Sequence, residues 1–416
     1  MASSTEPVVL HIFSGPKNNL CSQCVRCEKL RTQHANDNKF RIMPSGDLKF
    51  HLTHHARDRD NHVKVCEQDY LNCECGAPSL TPKDCKAKDC ENLLNDVVFN
   101  RLVRWSRAGR FLTIIAGIPC NSYSKARFKG ELHFQGDGGV PAIRDRDHRL
   151  GLPGLPDGLR RSLALNNELT RRSLILCASV WAAGGEVLIE NPPDYADDQG
   201  LWTTNPYTGE RGVKGEQGGA GDRWRQLERQ HCPLWKCPWM VAFIKATGGG
   251  ALLDFAQCIF DADFQKYTSL YVTPHWREAA PQAFSRFDGH PCRCKQPHKR
   301  QATGRREDGS YESEDAATYP REMNITLANA VHEMLDRRRE MVSFGTMIGA
   351  TREPLPPPDA AEKERRAAAI EPFLAMVHTV EATRACDPHF AGEAAADAGH
   401  GGQRTMESFM KRPRLG

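Results

Sequence analysis

The sequence predicts an α/β fold: a parallel sheet covered on both faces, with a smaller irregular lobe and a disordered C-terminal tail. Three observations predict it. Short apolar runs rich in β-branched residues recur along the first half of the chain, as buried strands do. Stretches with helical apolar spacing separate them, and strands alternating with helices imply right-handed crossovers and parallel pairing. Each run stops at a turn that carries polar, chemically capable residues, the position where open α/β sheets bind ligands.

The run Val8-Val9-Leu10-His11-Ile12-Phe13 reads as the first strand and stops at Ser14-Gly15-Pro16. Residues 17–92 dissolve into Cys, His, Asn and charge, an irregular insertion around a second strand near Val63-Lys64-Val65-Cys66. Leu93, Leu94, Val97, Val98, Leu102 and Val103 fit an amphipathic helix that Gly109 stops. The next strand, 111–117, ends at Ile118-Pro119-Cys120. A helix over about 159–183 closes at Gly184-Gly185, and a further strand at 186–189 ends at Glu190-Asn191-Pro192-Pro193.

These elements make a domain over 8–205. Residues 206–318, rich in Gly, Trp and charge, are expected to form the smaller lobe, with a helix near 223–231, Trp235 and Trp239 after it, and strands at 251–255 and 270–272. A helix over about 323–339, in the segment 319–340, returns to the main sheet. Pro, Ala, Glu and Gly dominate 341–416, which is expected to be a flexible tail with one helical stretch at 360–385.

Composition bounds the class. With 39% hydrophobic and 26% charged residues, the chain has enough apolar content for a core and reads as globular. No run is apolar for long enough to span a bilayer, and the N-terminus lacks the layout of a signal peptide, which predicts an intracellular protein. Its 16 cysteines are then expected as thiols, metal ligands or a nucleophile rather than as a disulfide framework. The net charge of +4 says little about partners, but local clusters matter. Between 285 and 306, Arg286, Arg293, Lys295, Lys299, Arg300, Arg305 and Arg306 face the single acid Asp288, a surplus suited to phosphate.

A thiol at Pro119-Cys120 and a carboxyl group at Glu190-Asn191-Pro192, on neighbouring strand ends, form a pair with specific chemical use. An aromatic ring carbon that is not nucleophilic becomes so when a thiolate adds beside it and a carboxyl group steadies the charge that develops. On these motifs the sequence resembles the C5-cytosine methyltransferase family, and most of all its divergent members from mobile elements. Pro119, Cys120, Ser124, Glu190, Asn191 and Pro192 match residue by residue.

The resemblance implies a Rossmann-like S-adenosylmethionine-dependent methyltransferase sheet with a target-recognition lobe, acting on DNA. Under it, Cys120 attacks the everted base, Glu190 contacts its N3 edge, Asn191 and Ser124 shape the pocket, and Arg127 holds the target phosphate or base. Phe13, Ser14, Gly15 and Pro16 correspond to the cofactor loop, with Pro119 beside it, although Lys17-Asn18-Asn19 stands where the family continues with glycines. Glu67 or Asp69 is the candidate for the ribose hydroxyls and Asp96 for the adenine. Gln257-Cys258 and Lys266-Tyr267-Thr268 resemble a segment between the two lobes of the divergent relatives, with Lys266 a candidate DNA contact.

Two rival functions stand beside this one. A methyltransferase-like DNA-binding module without activity would accommodate the eroded glycine loop. RNA cytosine methylation suits the same fold, but many such enzymes use a second Cys in a Thr-Cys-Ser loop, which the chain lacks.

Cys21, Cys24 and Cys27 form overlapping C-x-x-C steps, near Cys66, Cys73, Cys75, Cys85, Cys90, His51, His54 and His55, and are candidates for a structural zinc. His290, Cys292, Cys294 and His298 form a second group. At the C-terminus, Gln403, Met406 and Phe409 within 403–410 resemble the peptide that binds the sliding clamp (PCNA), with Met410 where an aromatic is usual. Lys411-Arg412-Pro413-Arg414 reads as a nuclear import signal, which places the expected location in the nucleus.

Overall fold

The computed structural model describes residues 8–12, 19–20, 41–42, 64–68, 92–124, 142–194, 231–264, 266–287, 289, 292, 294, 298, 319–343 and 358–385. A six-stranded sheet organises them. Strands β1 (Val8–Ile12), β4 (Lys64–Gln68), β5 (Thr113–Gly117) and β6 (Glu186–Asn191) lie parallel in the spatial order β4-β1-β5-β6. The expected second strand is therefore present and borders the first. A separate two-residue pair joins β2 (Asn19–Leu20) to β3 (Arg41–Ile42). The chain runs from β1 out to β4, then crosses back over β1 to β5, so the strand order reverses between β1 and β5. In open parallel sheets that reversal opens a crevice beyond the carboxyl ends of the two strands.

Every residue of β6 is buried, so its second edge cannot face water with unpaired backbone groups. Strand β8 (Tyr267–Val272) covers that edge antiparallel, and β7 (Ala251–Ala256) pairs antiparallel with β8. This corrects the expected organisation at two points. The sheet is mixed rather than parallel throughout, and the strands expected in a separate lobe over 206–318 complete the main sheet. Leu252, 40% exposed, alternates with the buried Ala251 and Leu253, as on the solvated side of an edge strand.

Side chains alternate across the strands and feed two cores. Leu10, Ile12, Ile114, Ala116, Val187 and Ile189 face a core shared with α1 (Asp96–Arg107), α2 (Asp157–Ala182), α3 (Pro238–Ala246) and α7 (Ala360–Ala385). Val9, Ile115 and Leu188 face the other core, shared with α4 (Pro274–Ala279), α5 (Pro281–Ser285) and α6 (Arg321–Ser343). Both faces are thus covered, as an α/β sheet requires.

Local signals set the helix ends. The Asn95 side chain caps α1 by accepting from the backbone N–H of Val97 at 2.9 Å, and Asp96 favours the positive end of the helix. Between α2 and β6, Gly184 has φ +91°, and a Cβ on Gly185 would lie 2.9 Å from the Phe111 carbonyl oxygen. The turn therefore needs glycine at both places.

Helix α7 corrects the flexible-tail expectation for its own stretch. Arg366, Ile370, Phe373 and Val377 recur on one face and are buried against the sheet's first core. Arg366 reaches the fully buried Glu186 at the start of β6, with 3.3 Å from each terminal nitrogen to Oε1, while Thr273 donates to Oε2 at 2.5 Å and His275 Nδ1 lies 3.1 Å from Oε1. No helix among the described residues is long and apolar enough to cross a membrane.

Candidate active site

Cys120 and Glu190 come together at the carboxyl end of the parallel strands. Gly117 lies opposite Glu190 in the β5–β6 register, and Cys120 follows three residues later. Asn191, fully buried, donates from Nδ2 to the Ile118 carbonyl at 2.8 Å and ties the Cys loop to the end of β6. Cys120 stays partly exposed while Glu190 is 8% exposed. Pro119 and Ser124 are half-buried on the same loop.

Tyr319 carried no signal in the sequence. It stands before α6 and donates its hydroxyl to Glu190 Oε2 at 3.0 Å. Burial pushes the Tyr319 hydroxyl well above the ordinary tyrosine range, and the charge on Glu190, the bond to it and the Cys120 sulfur push it further. It therefore remains a neutral donor at any physiological pH. Its contact with Glu190 and the electrostatic influence of Cys120 on it bring the three side chains into one constellation.

A second layer braces the Cys loop from behind. Arg144, 1% exposed, donates to Ser122 Oγ at 2.8 Å, to Asn167 Oδ1 at 2.9 Å and to the Arg149 carbonyl at 2.9 Å. Its guanidinium also sits 4.2 Å from the centroid of the Tyr123 ring. These acceptors are neutral, and the ring face offsets part of the buried charge. Tyr123 donates to Thr170 Oγ1 at 3.1 Å, and His231 Nε2–H donates to the Tyr123 carbonyl at 2.7 Å. The Cys120 carbonyl accepts from the Tyr123 N–H at 2.9 Å, which closes the turn after the thiol. Beyond the Glu-Asn-Pro turn, Trp235 Nε1 donates to the Pro192 carbonyl at 2.8 Å, and Asp194 is held by Arg146 and Lys236.

No family model, no curated protein and no solved structure matches the chain. The remaining sequence-derived candidates divide by location. Asp96 begins α1, whose chain direction puts that end at the carboxyl edge of the sheet, and its side chain is 77% exposed although Arg172 pairs with it at 2.6 Å. Glu67 lies within β4, opposite His11, rather than after the strand. Lys266 precedes β8, and its carbonyl accepts from the Gln257 N–H at 2.8 Å. Because Asn191 pairs with Ser269, Lys266 belongs to the same edge as Glu190. Phe13, Ser14, Gly15, Pro16, Asp69, Arg127, the Cys21, Cys24 and Cys27 group, the helix expected before residue 231 and the Gln403, Met406 and Phe409 peptide lie outside the described residues.

Cys292, Cys294 and His298 are joined by Cys258 in one cluster. Two cavities, of about 390 and 490 Å³, open at the opposite edge of the sheet, around His275 and Glu278 and around Arg277 and Pro281, and have no part in the Cys120 constellation.

Proposed function

We propose that the chain is a DNA cytosine C5 methyltransferase in which Cys120 is the nucleophile and Glu190 the carboxyl partner. One observation carries the reading: a partly exposed thiol and a buried carboxyl group meet at the carboxyl ends of adjacent parallel strands, beside the switch point of the sheet. C5 of cytosine is not nucleophilic in the aromatic ring. Addition of the Cys120 thiolate to C6 of an everted cytosine forms a carbon–sulfur bond and breaks the 5,6 double bond, so electron density arrives at C5. Glu190, oriented by Tyr319, hydrogen-bonds the N3 edge and steadies the charge that builds there.

S-adenosylmethionine supplies the methyl group when bound. Among the described residues, those that would hold it beside the switch point are Asp96, whose exposed carboxylate stands at a helix N-terminus, and Pro119 at the end of the β5 loop. The resemblance implies that Phe13, Ser14, Gly15 and Pro16 and one of Glu67 or Asp69 contact the same cofactor. Asn191 and Arg144 hold the Cys loop in place during attack. Loss of the C5 proton to solvent base then restores the double bond as the Cys120 sulfur leaves.

The test uses a pool of duplexes carrying 5-fluorocytosine in all sequence contexts, with labelled S-adenosylmethionine. Fluorine at C5 cannot leave as a proton, so the enzyme is trapped as a covalent DNA adduct. Cys120→Ala should give no adduct, and Glu190→Gln should slow trapping about a hundredfold or more. Absence of adduct from the parent protein, together with no binding of S-adenosylmethionine at equilibrium, would leave a DNA-binding module without activity.

A further inference from the structure

We infer that Cys258, Cys292, Cys294 and His298 form a closed zinc site that fastens the basic segment 286–306 to the edge of the sheet bearing Cys120. One ligand atom from each of these four residues lies within 4.8 Å of the other three. Tetrahedral zinc, with bonds of about 2.3 Å to sulfur and about 2.05 Å to nitrogen, sets its sulfur–nitrogen edges near 3.6 Å and its sulfur–sulfur edges near 3.8 Å. Cys292 Sγ stands 3.6 Å from His298 Nε2, the length of one such edge. Three sulfurs and one imidazole are a soft donor set that favours zinc over calcium or magnesium, and four protein ligands leave no open position, which marks a structural site.

The surroundings support a fixed site. Cys258 sits in the short turn Gln257–Phe260 that follows β7. Phe260 packs on Phe287 with centroids 4.9 Å apart, and Phe287 also meets Phe255 at 5.0 Å. Arg286 lies over the Phe260 ring at 5.3 Å. The chain is therefore anchored by aromatic packing shortly before Cys292. Ala256 pairs with Tyr267, and Ser269 with Asn191, so the turn bearing Cys258 emerges at the same edge as Glu190.

Binding releases three thiol protons to solvent and gives a centre of net charge −1, in a Cys-x-Cys-x-x-x-His run whose sequence also carries Arg293 and Lys295. The sequence grouped His290 with Cys292, Cys294 and His298. His290 lies outside the described residues; the fourth ligand we assign is Cys258, more than thirty residues upstream, which only folding brings there.

Residue-resolved alkylation of the full chain is the decisive experiment. In protein purified with zinc, Cys258, Cys292 and Cys294 should resist alkylation and become reactive after a chelator, while Cys120 reacts in both states. Metal analysis should show one zinc equivalent per chain fewer in Cys292→Ser/Cys294→Ser than in the parent, which separates this site from any zinc held near Cys21, Cys24 and Cys27. Equal alkylation before and after chelation, an unchanged zinc count in the double variant, or a disulfide-linked peptide joining Cys258 to Cys292 or Cys294 would overturn the inference. None of these readouts depends on methyl transfer.

Discussion

A carboxyl group that must meet one edge of a base gains from a bond that fixes its own rotamer, and Tyr319 gives Glu190 that bond. Hydrogen bonds to charged groups contribute about 1.5–3 kcal/mol, so Tyr319→Phe should lower the single-turnover rate of adduct formation about tenfold to a hundredfold. The affinity for DNA should change little, and an unchanged rate would remove Tyr319 from the site. Arg144→Met tests the layer behind the loop. It leaves Ser122, Asn167 and the Arg149 carbonyl without their donor, at about 1–3 kcal/mol each when buried, and should lower the denaturation midpoint as well as the trapping rate. Cys120 and Glu190 were legible in the sequence because each sits in a short motif at a strand end. Tyr319 was not, because its partner is 129 residues away and a Tyr-Pro step before a helix looks the same with or without one.

Helix α7 shows how an element can hide in composition. Averaged over 341–416, Pro, Ala, Glu and Gly conceal the spacing Arg366, Ile370, Phe373, Val377, which is a single buried stripe. Phe373→Ala should cost about 3–5 kcal/mol in chemical denaturation, and a tail without tertiary contacts would cost nothing. Arg366→Met leaves Glu186 with less compensation for a fully buried charge and should cost a similar amount. Burial alone would raise the Glu186 pKa. The bond from His275, the Arg366 charge and the Thr273 hydroxyl outweigh it and hold the carboxyl below its usual 4.5. A group depressed in the folded state stabilises the fold above its unfolded pKa and stops doing so as pH falls through the folded value. The stability gap between the parent and Glu186→Gln should therefore be widest near neutrality and narrow below about pH 4.5. The apolar pattern marked strands at 251–255 and 270–272, within the observed 251–256 and 267–272, but not their membership of the main sheet. That follows from the burial of β6 on both faces, which no local pattern in β7 or β8 expresses.

At the scale of the molecule, sheet topology gathers separate stretches of chain at one edge: the Cys120 loop, the Glu190 turn, Tyr319, and the turn carrying Cys258. The described chain enters the basic segment from the Phe287 anchor and re-enters the fold at Tyr319, so both ends of that segment belong to the edge where a flipped base would be read. Under the proposed DNA activity, the seven cations that the sequence sets against a single acid over 285–306 are suited to the phosphates flanking a target cytosine. Each phosphate neutralised by a side chain releases counterions, and the slope of log K against log salt steepens by about 0.9 per contact on B-form DNA. Replacing Arg300, Arg305 and Arg306 together by Gln should make that slope shallower by up to about 2.7 in anisotropy titrations between roughly 50 and 200 mM salt. The rate of adduct formation at saturating DNA should stay near that of the parent, because the proposed chemistry assigns none of the three a role at Cys120. An unchanged slope would mean that the cations are solvated surface charge, and the DNA-binding face would then have to be sought elsewhere on the same edge.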